Sequence, residues 1–395
     1  MSVFDRFDAI QDADLRKTGA SKWTADGVIG AFVAEMDFGT APEVVAALHK
    51  GIDEGHFGYM PSRLVTDMKD AAVDWIREKH GWEVEAKDVR HVPDVIKSFE
   101  LSIEHFSKPG SKVIVPTPSY MPFLTVPGAL GREVIEVPLA YDNGQFRFDI
   151  DALQKAFEDG GDLLVLCNPY NPVGRVFSEE ELLEIAELVE RNGGRVFSDE
   201  IWAPLIFEGH RHISYASLNE VTAAHTLTAI SASKAFNLPG LKCAQLVVSN
   251  EKDAKVLDAL GYGVGRDTSN FGVIGTIAAF REGGEWLAGT LAYLDRNRKA
   301  MAELVAEHLP GVRYDVPDGT YVGWLDFRDS AVPDKPGAFF KEHAGVWLTE
   351  GTACGKVGEG HARFIMATPL PIMKEAFAKM GKAMAEQGPG WPANG

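Results

Sequence analysis

From about residue 90 to 250, short apolar runs alternate with stretches that repeat at helical spacing. Six runs read as strands: Lys112–Pro116, Val134–Val137, Leu163–Cys167, Arg195–Ser198, Thr226–Ile230 and Ala244–Ser249. They are short and rich in Val, Ile and Leu, as strands covered on both faces are. Between the third and fourth, Ser178 and Glu181 have the spacing of a capping box. Leu182, Ile185, Ala186 and Val189 then recur at helical period, and Asn192-Gly193-Gly194 ends the helix. Such strand–helix alternation predicts an α/β fold with a mostly parallel sheet and helices on both faces. Ligands of such sheets bind at the carboxyl ends of the strands.

The pattern changes after about residue 280. Trp286–Leu309 is a long helical stretch, and Tyr321–Phe327 and Ala362–Ala367 read as strands. We expect a large domain over 46–280, a smaller α+β domain over 281–387 joined by the segment 1–45, and a frayed tail over 388–395.

Composition narrows the function classes. Hydrophobic residues make up 45% and charged residues 24% of 395, which is globular. A net charge of −18 argues against a nucleic-acid partner, which needs a basic face. There is no apolar run long enough to span a membrane, and the first residues lack the pattern of a secretory signal. Cys167, Cys243 and Cys354 are scattered, which fits neither a disulfide framework nor a zinc cluster. Together these predict a cytoplasmic protein without a structural metal. Gly209-His210-Arg211-His212 has two near histidines but no third ligand at metal spacing, and reads as a surface turn.

The densest chemical cluster is Ser231-Ala232-Ser233-Lys234, directly after the Thr226–Ile230 strand. An acyl-transfer S-x-x-K motif needs S-D-N and K-T-G downstream, and neither follows. The competing reading is an amine nucleophile beside phosphate-binding hydroxyls, a lysine that forms a Schiff base with pyridoxal phosphate. Asp199, at the end of a buried strand, could pair with a pyridinium nitrogen or simply cap the next segment. Asn171, in Asn168-Pro169-Tyr170-Asn171-Pro172, could bond a phenolic oxygen or sit in a plain turn.

Taken in order, Asn168-Pro169-Tyr170-Asn171-Pro172-Val173-Gly174-Arg175, Ser198-Asp199-Glu200-Ile201 and Ser233-Lys234-Ala235-Phe236-Asn237-Leu238-Pro239-Gly240-Leu241 resemble fold-type I pyridoxal-phosphate enzymes, the class I/II aminotransferases and their relatives. Val33–Phe38, Phe57-Gly58-Tyr59, Gly209–Ile213 and Gly319–Phe327 resemble the cystathionine β-lyases of the MalY/PatB type, which are C–S lyases. The resemblance runs from about residue 20 to 380. It implies a seven-stranded-type sheet, pyridoxal 5'-phosphate as cofactor and a small amino-acid substrate. Lys234 would carry the Schiff base and move the α-proton, and Asp199 would pair with the ring nitrogen. Asn171 would bind the phenolic oxygen, and Tyr120 would stack on the ring. Ser231, Ser233, Lys242 and the N–H groups of Val95 and Ile96 would bind the phosphate. Arg363 would clamp the substrate carboxylate. Tyr59 would reach the phosphate of a neighbouring subunit, which implies a homodimer with shared sites. The activity implied is β-elimination from an S-substituted cysteine. Transamination, decarboxylation and oxidative deamination are the alternatives on the same residues.

Two positions depart from that pattern. Trp202 stands where aminotransferases usually have Tyr and the C–S lyases often His; an indole donates one hydrogen bond and cannot accept one or ionise. Asp94 stands where Gly is common, just before the phosphate-binding helix. As a favoured N-cap residue, it is expected to cap that helix and point aside.

Overall fold

The computed structural model describes residues 2–387; the tail expected over 388–395 lies outside them. The central sheet has seven strands: β1 Val89–Val92, β2 Lys112–Thr117, β3 Val134–Pro138, β4 Gly161–Cys167, β5 Arg195–Asp199, β6 Thr226–Ile230 and β7 Ala244–Val248. Their order across the sheet is β1-β7-β6-β5-β4-β2-β3. All neighbours are parallel except β7, which runs antiparallel to both β1 and β6. The sheet is therefore mostly parallel, as its apolar runs predict. In β4, Leu163, Leu164, Val165 and Leu166 are each at most 1% exposed. Burying one such side chain stabilises by about 1.5–3 kcal/mol.

Six strands fall where the apolar runs place them, within two residues at either end. β1 was not foreseen. It reads Val-Arg-His-Val, with both inner residues half-buried, so it carries no continuous apolar signal. Ser249 lies beyond the end of β7.

The helices that position the site are α1 Val95–Phe106, α2 Met121–Ala129, α3 Glu179–Asn192, α4 Gly284–His308, α5 Pro336–His343 and α6 Leu370–Gln387. α3 has the capping box read from its sequence: Ser178 Oγ accepts from Glu181 N–H, and Gly193 closes the helix at φ 59°. A second, antiparallel sheet holds β8 Arg313–Tyr314, β9 Val322–Asp326, β10 Thr349–Glu350 and β11 His361–Ile365, ordered β8-β9-β11-β10. Near the N-terminus, Ile29–Gly30 pairs in parallel with Val346–Trp347. Ala31 O accepts the Ile365 N–H at 2.9 Å, which places residues 31–38 beside β11. Among the described residues no helix is long and apolar enough to cross a membrane.

Candidate active site

Five chain segments leave the same edge of the central sheet. β4 runs into Asn168–Asn171, β5 ends at Asp199, and β6 runs into Ser231–Lys234. β1 leads to Asp94, and β2 leads to Tyr120, the residue before α2. They enclose a cavity of about 250 Å³ lined by Val95, Tyr120, Asn171, Asp199, Ser231 and Lys234, among others. It lies where an open α/β sheet binds ligands, at the carboxyl ends of its strands.

Three ionisable groups at this cavity and the one beside it have no opposite charge in contact; Asp199 and Arg363 are buried and Lys234 is half-buried. Asp199 is 3% exposed; it accepts only the Ile201 N–H at 3.1 Å and the Cys167 thiol at 3.8 Å. Burial pushes its pKa up to about 7. Lys234 Nζ donates to Ala34 O at 2.9 Å, and burial pulls its pKa down to about 8, helped by the charge of Arg363. Arg363 is 2% exposed. It donates to Asn171 Oδ1 at 3.2 Å, Phe32 O at 2.9 Å and Thr349 Oγ1 at 3.2 Å, and its Nε has no partner. Burial lowers its pKa too. A guanidinium held by neutral oxygens alone leaves room for a carboxylate, its usual bidentate partner.

The opposite end of the cavity suits an anion. The first-turn N–H groups of α1, on Val95 and Ile96, have no partner inside their helix, and the helix dipole favours negative charge there. Asp94 caps α1 as expected, its Oδ1 accepting from Lys97 N–H at 2.8 Å, but it does not point aside: it lines the cavity. Its Oδ2 accepts from Lys242 Nζ at 2.8 Å, so the carboxylate beside the anion end is matched by a cation. Ser233 lines the same wall. Ser231 lines it as well, but its hydroxyl donates to Cys243 O at 2.8 Å and accepts from Ser233 N–H at 3.1 Å. The loop is thereby tightened.

Trp202 is buried; its ring centroid lies 5.7 Å from Lys234 Nζ, and it meets Tyr321 edge-on at 4.7 Å. Tyr120 is half-buried on the cavity wall, with its hydroxyl pKa raised by burial. Tyr59 is not brought in: it is 96% exposed and lines neither this cavity nor its neighbour.

Several contributors were not assigned from the sequence. The Ala34 carbonyl accepts from both Lys234 Nζ and the Tyr321 hydroxyl, the latter at 3.0 Å. Its segment is fixed by Asn237, whose side chain bonds Met36 N–H and Met36 O at 2.9 Å each. It is fixed again by a buried Lys22–Asp37 ion pair at 3.0 Å. The residue runs 33–38 and 319–327 were legible as patterns, but their contacts span hundreds of residues. The surface turn read at 209–212 needs correcting in part. His210 and Arg211 are exposed, but His212 is 4% exposed, with Nε2 2.9 Å from Glu200 Oε2. Among the described residues no group of three potential metal ligands is found.

A second cavity of about 650 Å³ adjoins the first and shares Ala34, Tyr120 and Lys234 with it. It carries Arg363 on its wall and opens between α5 and the Phe32–Ala34 segment.

An acid for a ring nitrogen, an amine for an aldehyde and a helix terminus for a phosphate fit one cofactor, pyridoxal 5'-phosphate. Fold and site thus define a fold-type I pyridoxal-phosphate enzyme. The aminotransferase class I and II family model matches residues 29–378, and the chain belongs to that family. It is 37% identical over 353 residues to a cystathionine beta-lyase of Corynebacterium glutamicum, covering 89% of this chain and 92% of that protein. It is 31% identical to cystathionine beta-lyase PatB of Bacillus subtilis, over 95% of this chain and 97% of that one. Cystalysin from Treponema denticola, solved with pyridoxal 5'-phosphate, superposes with a TM-score of 0.89 at 27% identity, over 96% of this chain and 99% of that one.

Proposed function

We propose that this pyridoxal-phosphate-dependent C–S β-lyase cleaves an S-substituted L-cysteine, cystathionine-like or a larger S-conjugate, to a thiol, pyruvate and ammonia. The observation that carries the reading is the set of three uncompensated groups, Asp199, Lys234 and Arg363, around two adjoining cavities that share Lys234. The cystathionine beta-lyase names of the relatives support the reaction type.

The bound cofactor supplies an electrophilic carbon for the substrate amine and a sink for the electron pair left at Cα. Asp199, whose buried carboxyl lacks a cation, would pair with the protonated ring nitrogen of the cofactor. Asn171 Oδ1 accepts from Arg363, which leaves its Nδ2 as the donor that would hold the cofactor's ring oxygen. Arg363 fixes the substrate carboxylate, so the Cα–H faces Lys234. Lys234 Nζ, with its pKa near 8, takes that proton without a large mismatch to neutral pH. The Cβ–S bond breaks and the thiolate leaves toward the outer cavity. The 2-aminoacrylate released is hydrolysed by water to pyruvate and ammonia.

We propose further that two copies assemble. Tyr59, Phe57 and Tyr262 are 96%, 70% and 72% exposed, which is unusual for aromatics in a lone subunit. Tyr59 would complete the phosphate site of the partner.

Purified holoenzyme incubated with S-alkyl cysteines tests the reaction. Thiol and pyruvate should appear in equal amounts without any keto acid. Strict dependence on a keto acid, with alanine-type amino transfer and no thiol, would identify an aminotransferase instead.

A further inference from the structure

A third cavity, of about 310 Å³, shares no lining residue with the two already described. Three elements meet around it: the end of the helix Ser62–His80, the irregular chain 203–212 after β5, and the start of α4. Lys79, His80, His210, Arg211 and His212 stand on its wall, and among the described residues no carboxylate does. The chain as a whole carries −18, so this wall runs against the charge of the molecule.

The five do not count equally. His210 Nε2 lies 3.4 Å from Asp318 Oδ1 and so has a carboxylate of its own. His80 is held neutral by burial, with the charges of His212 and Lys79 adding to the effect and Glu200 opposing it; its pKa falls to about 3. It offers an N–H and no charge. Lys79 and Arg211 are the cations. Lys79 Nζ is held 5.4 Å from the centroid of the Trp75 ring, which lines the same cavity. Arg211 is exposed and makes no hydrogen bond or ion pair among the described residues.

Two further observations point to a ligand. His212 is 4% exposed; its Nε2 faces Glu200 Oε2 at 2.9 Å, and its Nδ1 is buried with no partner. With Nε2 committed to Glu200, Nδ1 is where the ring can take up a proton and donate it to an oxyanion. The second is the 25-residue helix α4. Its first residue, Gly284, lines the cavity, and no side chain caps it. Its first-turn N–H groups have no acceptor inside the helix, and its dipole favours an anion there. Glu285, in that turn, is exposed and is not on the wall. The helix Ser62–His80 presents its negative end, which Lys79 in its last turn offsets.

We propose that this cavity binds a small organic anion, a phosphate or carboxylate on a compact apolar body. Lys79, Arg211 and the start of α4 hold the oxyanion, and the body lies against Trp75, Leu287 and Leu291. A bare inorganic ion would leave that apolar side unfilled. The occupant stays outside the cofactor cavity and takes no part in breaking the substrate's bonds.

Calorimetry of the holoenzyme at low salt tests this with phenyl phosphate, phenylacetate and benzyl alcohol. The holoenzyme keeps the cofactor's own phosphate site filled. At least one of the anions should bind and the neutral alcohol should not; the tighter anion identifies the headgroup. Lys79→Glu with Arg211→Glu should raise its Kd at least about tenfold. Turnover of an S-alkyl cysteine and the cofactor absorbance should stay unchanged in that variant. Lys252→Glu with Lys255→Glu places the same charge change on another exposed helix face, Glu251–Leu260, and should leave the Kd where it was. Binding of neither anion overturns the proposal. So does a Kd unmoved by the Lys79 and Arg211 substitutions, which would place the anion elsewhere, for phenylacetate at Arg363. An equal loss in both double variants overturns it as well, because attraction to net charge alone would then explain the binding.

Discussion

Asp199 and Glu200 are neighbours at the end of β5, 3% and 1% exposed, and they titrate in opposite directions. Asp199 faces the cavity with one backbone N–H and one thiol as partners, and its pKa rises. Glu200 faces away from it. It accepts from Ser198 Oγ at 2.9 Å, Ser214 Oγ at 2.7 Å and Tyr215 N–H at 3.0 Å, and its Oε2 lies 2.9 Å from His212 Nε2. That set outweighs its desolvation, and its pKa falls. Burial is the same on both sides of the strand; satisfaction is not. A buried charge whose partners are all present holds the fold together, and a buried charge without them waits for a ligand.

The strongest way to break this contrast is to substitute on the cavity side and look for a loss of stability. Lys234→Ala should lower lyase activity by about 10⁴-fold or more and remove the Schiff-base absorbance, while urea unfolding of the apoprotein stays where it was or improves. A yellow chromophore that survives Lys234→Ala with its original spectrum would falsify the assignment of the anchor. Arg363→Lys comes next. It keeps the charge and loses the two-pronged geometry, so kcat/KM for an S-substituted cysteine should drop about 100-fold, with the cofactor spectrum unmoved. A KM that does not change in that variant would place the substrate carboxylate elsewhere.

The satisfied side should behave in reverse. Glu200→Ala leaves His212, Ser198 and Ser214 without their acceptor in a dry interior. Removing one member of such a cluster costs about 3–5 kcal/mol. The denaturant midpoint should move accordingly, and the absorbance of bound cofactor should not. A shifted absorbance with unchanged stability would mean that Glu200 acts on the cofactor through Asp199.

This division also separates what was legible in the sequence from what was not. The strands of the central sheet were visible because burial on both faces writes an uninterrupted apolar run; β1, with Arg90 and His91 in its middle, was not. Residues at or just past strand ends, such as Asp199, Asn171 and Lys234, stood out because their types are chemically specific and their place follows from the strand. Ala34 could not stand out: it contributes a carbonyl, which every residue has, and only the fold brings it to Lys234 from 200 residues away. His212 was misread because its partner Glu200 precedes it by 12 residues across an irregular loop, with no period to mark the pair.

The smallest expected effect is a pH dependence, and it discriminates between the two carboxylates most finely. In the apoprotein the folded pKa of Asp199 is about 7, against an ordinary 3.8 in the unfolded chain. Between those values the folded state keeps a proton that the unfolded state has lost, so this group makes stability fall as pH rises from about 4 to 7. The full effect at pH 7 is on the order of 4 kcal/mol. Glu200 works the other way: its folded pKa lies below 4.5, so its contribution is complete above 4.5 and is lost only as pH drops through the folded value. His80, held neutral by burial with its pKa down to about 3, also weakens the fold as pH falls below 6.5. The last two effects are common to apo- and holoprotein and cancel in their difference. In the proposed site Asp199 would meet the cofactor's ring N–H, which would restore its charge, and Glu200 and His80 would not. The gap in Tm between holo- and apoprotein should therefore widen steadily from pH 5 to pH 7. Asp199→Asn should remove the widening, whereas Glu200→Gln should leave it in place on a lower baseline. A gap that is flat with pH in the unsubstituted protein would mean that the cofactor nitrogen does not face Asp199.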